Sequence, residues 1–189
     1  MEGSSPNGAP LLIRVWPRNP KADDKDLIDI WRNELRLLHR LGGAPGAEEY
    51  IARLFDAGED AQGFYIVIAA GQRRPLEVLR ERGGPRTDWL RFPASNPNRR
   101  RLWANLRRVV FGLEVLHSQG LIHCNLDTWS VLSAGDIEPD FQLTGFEWSM
   151  RLMATVDKRK PNPVSTGRAL SFLDDWKAFA VLAAQLLKL

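Results

Sequence analysis

The sequence predicts an α+β fold of two unlike lobes that meet near residue 71. Short apolar runs separated by turn residues fill much of residues 11–71, and helical spacing dominates the rest of the chain. Strands and helices do not alternate regularly, as they would in a doubly wound sheet. With 189 residues, 44% of them hydrophobic, the chain can bury a real core. We expect a flexible leader (1–10), a small lobe (11–71) and a mainly helical lobe (72–189).

The small lobe is predicted to be a sheet with one helix. LLIRVW (11–16) is largely branched and apolar and is followed by prolines, which indicates a strand. Over 24–41, apolar residues recur at helical spacing, acidic residues come early, basic ones come late, and Gly-Gly follows; this predicts a helix. Two apolar runs, 49–60 and 63–71, are separated by a turn-like segment and predict antiparallel strands.

The second lobe is predicted to begin with a short helix (74–84) and a proline-containing loop (85–98). Helical spacing then predicts a long helix over 98–120. We expect its apolar face to consist of Leu102, Trp103, Leu106, Val109, Val110, Leu113 and Leu116.

Three short β-like pieces are expected next: LIHCNL, SVLSAG and FQLTGF. Residues 153–171 lack periodicity and are predicted to be an extended loop. The closing segment, 174–189, is apolar on nearly every side of a helix and is expected to be buried.

Composition restricts the classes of partner. The net charge is only +3, so charge argues weakly for nucleic acid, although Arg99, Arg100, Arg101, Arg107 and Arg108 leave that alternative open. The single cysteine, Cys124, allows no internal disulfide and no paired-cysteine zinc site. No signal peptide or apolar stretch of membrane-spanning length is found. We therefore expect a cytoplasmic protein that does not enter membranes.

The order of these segments, from residue 11 to 187, resembles that of eukaryotic-type protein kinases. Arg14 in LLIRVW stands where that family has the lysine of V-A-I-K, and Glu34 in NELRLL stands where it has the ion-pair partner. GFYIVIAAG resembles the strand before the hinge, with Ile68 as gatekeeper and Ala70 in the hinge. LIHCNLDTWSVL resembles the catalytic loop, and FQLTGFE resembles the strand with D-F-G. The resemblance implies a kinase-like two-lobed fold.

The residues that perform phosphoryl transfer in that family are replaced here. Asn125 stands at the base position and Asp127 at the position of the catalytic-loop lysine, where its charge is reversed. Ser130 replaces the metal-binding asparagine. Gly145 replaces the aspartate of D-F-G, the principal magnesium ligand. Glu147 could supply a carboxylate only after a change of register. The catalytic site residues are thus degenerate, and no metal is expected.

Other family segments are missing from the sequence. No Gly-rich hairpin precedes Arg14, no A-P-E motif is found in 153–171, and the helical lobe is truncated after the large buried helix. We interpret Arg14 and Glu34 as a structural ion pair in preference to a phosphate site. Arg14, Glu34, Ile68 and Ala70 then outline a vestigial nucleotide cleft. No cofactor is predicted, with ATP binding without magnesium left open.

The family's structural residues are retained. The resemblance implies an apolar column across the lobes, anchored by an aspartate at the start of the large buried helix. Its members here are Leu38, Leu54, His123, Phe146 and Asp175. His123 is therefore interpreted as a packed structural histidine.

The leading hypothesis is a catalytically inactive kinase-like domain, a pseudokinase, that binds a protein partner or other domains of a longer chain. The alternative is an atypical nucleotide-binding phosphotransferase or nucleotidyl transferase that uses Asp127 and Glu147 for metal. Trp31 and Trp103 are expected in the core. For Trp129 and Trp148 two interpretations stay open: rings that partly fill the vacated pocket, or surface aromatics.

Overall fold

The computed structural model describes residues 2–4, 8, 10–18, 23–152 and 170–188. It is a mixed α+β protein, as predicted. The elements in chain order are β1 (Glu2–Ser4), β2 (Pro10–Pro17), α1 (Lys25–Gly42), a 3₁₀ turn (Ala47–Glu49), β3 (Leu54–Glu59), β4 (Gly63–Ile68), β5 (Arg74–Pro75), α2 (Leu76–Arg82), α3 (Asp88–Arg91), α4 (Asn96–Ser118), β6 (Leu121–Ile122), β7 (Val131–Ser133), β8 (Gln142–Leu143), β9 (Met150–Arg151) and α5 (Phe172–Leu187).

The N-terminal sheet has the order β1-β2-β4-β3, and all of its neighbouring strands are antiparallel. The predicted strand at 11–16 and the predicted antiparallel pair are confirmed. The prediction of a flexible leader missed β1, whose residues Glu2–Ser4 pair with Pro10–Leu12. The first strand of the pair begins at Leu54, later than predicted, because residues 47–49 turn as a 3₁₀ helix after Gly46 at φ +73°.

Helix α1 packs against this sheet through the apolar face that the sequence predicts. Leu37, Leu38 and Leu41 are buried. Trp31, predicted to be in the core, is half-buried; its ring lies 5.2 Å from that of Phe64. The predicted helix is confirmed with a shift of one residue at each end.

Helix α4 is the central element of the second half, but its buried face differs from the predicted one. The prediction is wrong for Trp103, which is 50% exposed. Asn105 is buried instead because its Oδ1 accepts hydrogen bonds from the backbone N–H groups of Asp140 (2.9 Å) and Phe141 (3.2 Å). Gly112 is also buried; a Cβ there would lie 2.7 Å from Leu143, so helix and strand approach closely.

Three further predictions for this half need correction. The loop predicted over 85–98 contains α3, which forms because Trp89 and Leu90 turn into the core and are buried. The closing helix is buried on one side only, since Leu173 and Val181 are 56% and 69% exposed. Strand β9, which pairs with β6, was not predicted.

One cluster of buried apolar side chains joins the sheet and α1 to the later helices. It extends from Leu12 and Leu38 through Leu113 to Leu186. The division into two lobes near residue 71 therefore stays a prediction. Most of the predicted loop, 153–169, lies outside the described residues, and so does most of the segment expected to lack an A-P-E motif. None of the described helices is both long and apolar enough to cross a membrane.

Candidate functional site

Arg14 lies between two glutamates at the centre of the candidate site. Its Nη1 donates to Glu34 Oε1 at 3.0 Å, which is the ion pair predicted from the sequence. Nη1 and Nη2 also donate to Glu147 Oε2 and Oε1 at 3.2 and 2.8 Å. This paired geometry is the one that a planar guanidinium makes with a carboxylate. Strand β2, helix α1 and the segment after β8 are thereby joined through one side chain.

Two carboxyl groups share this one guanidinium, and their ionisation differs. Burial, reinforced by the nearby Glu147 and opposed by Arg14, raises the pKa of Glu34 to about 8. Although burial opposes it, contact with Arg14 holds the pKa of Glu147 below its usual value. Glu34 Oε2 is buried and has no hydrogen-bond partner among the described residues, which disfavours a charge on this carboxyl group. Burial thus favours the neutral form of Glu34, whereas Arg14 favours the charged form of Glu147.

Asn33, the neighbour of Glu34, fixes the same helix to the same segment. Its Nδ2 lies within hydrogen-bond distance of three carbonyl oxygens, those of Phe146 (3.3 Å), Glu147 (2.9 Å) and Ser149 (3.0 Å). Sequence reasoning missed this residue, since an asparagine on a helix is ordinarily a surface residue. Helix α1 and residues 145–149 are thus fastened together by both charged and neutral hydrogen bonds.

Asp127 is engaged within its own loop. Its Oδ1 accepts from the backbone N–H groups of Trp129 (2.8 Å) and Ser130 (2.9 Å). Ser130 Oγ in turn accepts from Asp127 N at 2.8 Å and donates to Asp127 O at 3.0 Å. These are the local bonds by which aspartate and serine stabilise a tight turn. Asp127 and Ser130, predicted as degenerate catalytic positions, therefore act structurally here, while Asn125 is exposed.

Gly145 occupies a backbone conformation and a space that suit glycine. Its φ is +82°, and a Cβ at this position would lie 3.1 Å from Ser130 Cβ. Its N–H donates to Glu34 Oε1 at 3.3 Å. An aspartate at this position would be strained in the present backbone conformation.

The residues proposed as a structural column lie together. His123 and Phe146 are fully buried, with ring centroids 5.2 Å apart. Leu38 is buried in the same cluster, and Leu54 is half-buried against it. His123 Nε2 lies 3.0 Å from the carbonyl oxygen of Thr144. These contacts favour the interpretation of His123 as a packed structural side chain.

Asp175 anchors the loop that begins at His123. Its carboxylate accepts from the backbone N–H groups of His123 (2.8 Å) and Cys124 (3.0 Å). The same carboxylate lies 2.9 Å from His117 Nε2 at the end of α4. The role of His117 was not predicted from the sequence. Because Asp175 is 1% exposed, these bonds connect α4, the loop and α5 in the interior.

The predicted cleft residues Ile68 and Ala70 are fully buried. A surface cavity of about 890 Å³ lies instead along the outer side of α1, and Glu147 is the one member of the predicted site among its lining residues. Trp129 and Trp148 are 56% and 55% exposed, which favours surface aromatics over rings that fill a vacated pocket.

Several arginines of α4 contact neighbouring aromatic rings. The guanidinium of Arg101 lies over Trp89, that of Arg107 over Phe111, and that of Arg108 over Tyr50, at 5.2–5.6 Å from the ring centroids. Arg108 also donates to the carbonyl oxygens of Phe141 and Glu49. Three of the five arginines on which the nucleic-acid alternative depended therefore also have contacts within the protein.

Comparison with known proteins identifies no family for this chain. No protein-family model matches it, and no curated protein matches it in a sequence search.

Proposed function

We propose that this chain is a catalytically inactive protein kinase-like domain that acts in the cytoplasm as a protein-interaction or regulatory module. The single observation that carries the proposal is the closed charge cluster of Arg14, Glu34 and Glu147. In this cluster Arg14, at the position of the phosphate-binding lysine of protein kinases, is paired with Glu147, at the third position of D-F-G. The guanidinium and the carboxylate therefore both have an ion-pair partner within the protein.

Phosphoryl transfer needs a base or orienting acid for the acceptor and ligands that hold magnesium on the phosphates. Asn125 cannot take up a proton, and a general base is worth about 10²–10⁴-fold in rate. The Asp127 carboxylate accepts two backbone hydrogen bonds in its own turn. Glu147 is held by Arg14. The atypical-transferase alternative would need both carboxylates for metal, and Arg14 bonds to both oxygens of Glu147.

The packing of the scaffold supports a role in binding. Asp175, His123 and Phe146 keep the loop, the segment after β8 and α5 in one buried arrangement. A protein whose catalytic residues are replaced but whose interior stays packed can still present a surface for binding. Its partner would be another protein or another domain of a longer chain.

A phosphate-transfer assay tests the proposal. Purified protein is incubated with radiolabelled ATP and Mg²⁺ or Mn²⁺, alone and with a general acceptor protein. We expect no incorporation above that of heat-inactivated protein. Turnover that disappears in Asp127→Asn or Glu147→Gln would overturn the proposal, whereas activity that persists unchanged in both variants would identify a contaminating kinase.

A further inference from the structure

The cavity along α1 is an open groove with the dimensions of a peptide site. Its helical wall extends from Asp29 to His39, and the opposite wall is formed by Glu147 and Trp148. Ten steps of 1.5 Å give that wall a length of about 15 Å, enough to contact about three turns of another helix. The residues that line it are Asp29, Ile30, Arg32, Asn33, Leu35, Arg36, His39, Glu147 and Trp148.

The groove presents an incompletely covered apolar surface. Ile30 and Leu35 are half-buried, and Trp148 at the edge is 55% exposed. Large apolar side chains that converge on one concave surface are typical of recognition sites. Tryptophan and arginine are also the residues that most often dominate the free energy of protein association.

The charge of the groove is positive. Arg32 and Arg36 are both exposed in the helical wall, and Asp29 is the exposed carboxylate beside them. The second carboxylate, Glu147, is neutralised by its contact with Arg14 and is 11% exposed. Arg36 donates to Asn33 Oδ1 at 2.8 Å, which leaves most of its donors for a ligand. A ligand that is complementary to this surface carries Asp or Glu residues next to its apolar side chains.

The two walls are held at a fixed separation. Asn33 Nδ2 contacts three carbonyl oxygens in residues 146–149, the segment that contains the opposite wall, and Arg14 joins Glu34 on α1 to Glu147. Binding to a preformed groove loses less conformational entropy than binding to a groove that must first open. The charge cluster of Arg14, Glu34 and Glu147 therefore also holds the two sides of this groove in place.

We propose that this groove binds an amphipathic helix of a partner protein, with large apolar residues against Ile30, Leu35 and Trp148 and with Asp or Glu against Arg32 and Arg36. This is the helix-in-groove mode of recognition, in which anchors recur at every third or fourth residue. The inference rests on the proposed function as an interaction module and names its surface and the chemistry of its partner.

Peptide display tests this assignment directly. A library of helical 16-residue peptides with randomised apolar and charged positions is selected against the whole chain, and the affinities of the selected peptides are measured. We expect an acidic, amphipathic consensus whose binding weakens as salt rises. Trp148→Ala and the double variant Arg32→Glu/Arg36→Glu should each weaken binding by at least about tenfold.

Matched controls come from helix α4. Trp103→Ala removes a tryptophan of similar exposure, 50%, outside the groove, and Arg99→Glu/Arg100→Glu reverses two exposed arginines there. These variants should bind the selected peptides within about twofold of the unchanged chain. Thermal melting confirms that all four variants are folded.

Several outcomes would overturn the assignment: no binders, a basic consensus, or binders that are lost in the α4 controls and retained in the groove variants. Self-association that Trp148→Ala abolishes would instead assign the groove to a second copy of this chain. Peptides that bind at another surface would contradict the assignment of the groove but not the proposed function as an interaction module. Phosphate transfer from ATP would remove the proposed function even if the groove bound peptides.

Discussion

Arg14 on β2 and Glu147, 133 positions later in the chain, are joined by two hydrogen bonds of 3.2 and 2.8 Å. The same guanidinium bonds to Glu34, whose side chain is fully buried. Because a single arginine compensates two carboxyl groups, the stability of this region depends on it more than on an ordinary surface ion pair.

Replacement of Arg14 by methionine should destabilise the protein by about 3 kcal/mol, the low end of the cost of removing one partner from a buried ion pair, because Arg14 is 26% exposed. Arg18→Met is the matched control. Arg18 bridges Asp24 and Glu59 at a more exposed position, so we expect a loss of about 1 kcal/mol or less. Urea unfolding measures both. The double variant Arg14→Met/Glu147→Gln should recover part of the loss, and equal losses for Arg14→Met and Arg18→Met would contradict the account.

Stability should fall as pH rises from 6.5 to 8. The pKa of Glu34 is about 8 in the folded protein against an ordinary value of 4.5, so its contribution is complete below pH 4.5 and is lost as pH rises through 8. Burial lowers the pKa of His123 from 6.5. This histidine makes the free energy of unfolding rise with pH, but mainly below pH 6.5. Between pH 6.5 and 8 the free energy of unfolding should therefore fall by about 1–2 kcal/mol.

The variant Glu34→Gln isolates this effect, because its amide resembles the protonated acid and does not titrate. Urea unfolding at intervals from pH 6.5 to 8 should give a nearly flat profile for the variant. Burial raises the pKa of Cys124 from 9.0, so that thiol does not titrate in this range. Parallel profiles for the unchanged chain and Glu34→Gln would show that another group is responsible.

Asp175→Asn should cost about 3 kcal/mol. The substitution weakens two charge-assisted hydrogen bonds to backbone N–H groups and the contact with His117 in the interior. Asp174→Asn, one residue earlier, alters the capping box at the start of α5 and should cost about 1 kcal/mol. Thermal or urea unfolding compares the two. A larger loss at position 174 would refute the anchoring role of Asp175.

Gly145→Asp introduces the metal-binding side chain of D-F-G in protein kinases, which this sequence resembles, and should still give no phosphate transfer. It should destabilise the protein by about 1–3 kcal/mol, because φ is +82° and a Cβ would approach Ser130. Gly71→Ala separates the effect of a positive φ from the effect of a close Cβ contact. Gly71 has φ +58°, but no atom lies within 4 Å of a Cβ there. Gly145→Ala should therefore cost more than Gly71→Ala in urea unfolding. Transfer activity in Gly145→Asp would refute our description of this position.

The local elements were largely predictable because their signals are local. The spacing of Leu38 and its neighbours indicates α1, and branched apolar residues indicate β2. The ion pair of Arg14 and Glu34 followed from the kinase resemblance. The third member, Glu147, was considered only as a metal ligand, because its contact with Arg14 depends on how distant segments pack.

The errors have physical causes of the same kind. Trp103 lies at a position with apolar periodicity, yet Asn105 is buried in its place because it satisfies the backbone of residues 140 and 141. A polar side chain in the interior is determined by a distant partner, which periodicity does not reveal. Helix α3 was missed because prolines surround it, although burial of Trp89 stabilises it.

The most direct test of the central claim is thermal melting of the chain with a panel of nucleoside triphosphates, with and without Mg²⁺. A nucleotide at 100 times its Kd would add about 2.7 kcal/mol of stability and raise the Tm measurably. We predict no magnesium-dependent shift for any nucleotide, because Gly145 supplies no carboxylate to a metal and both oxygens of Glu147 are bonded to Arg14. A magnesium-dependent rise in Tm that disappears in Asp127→Asn would contradict the account.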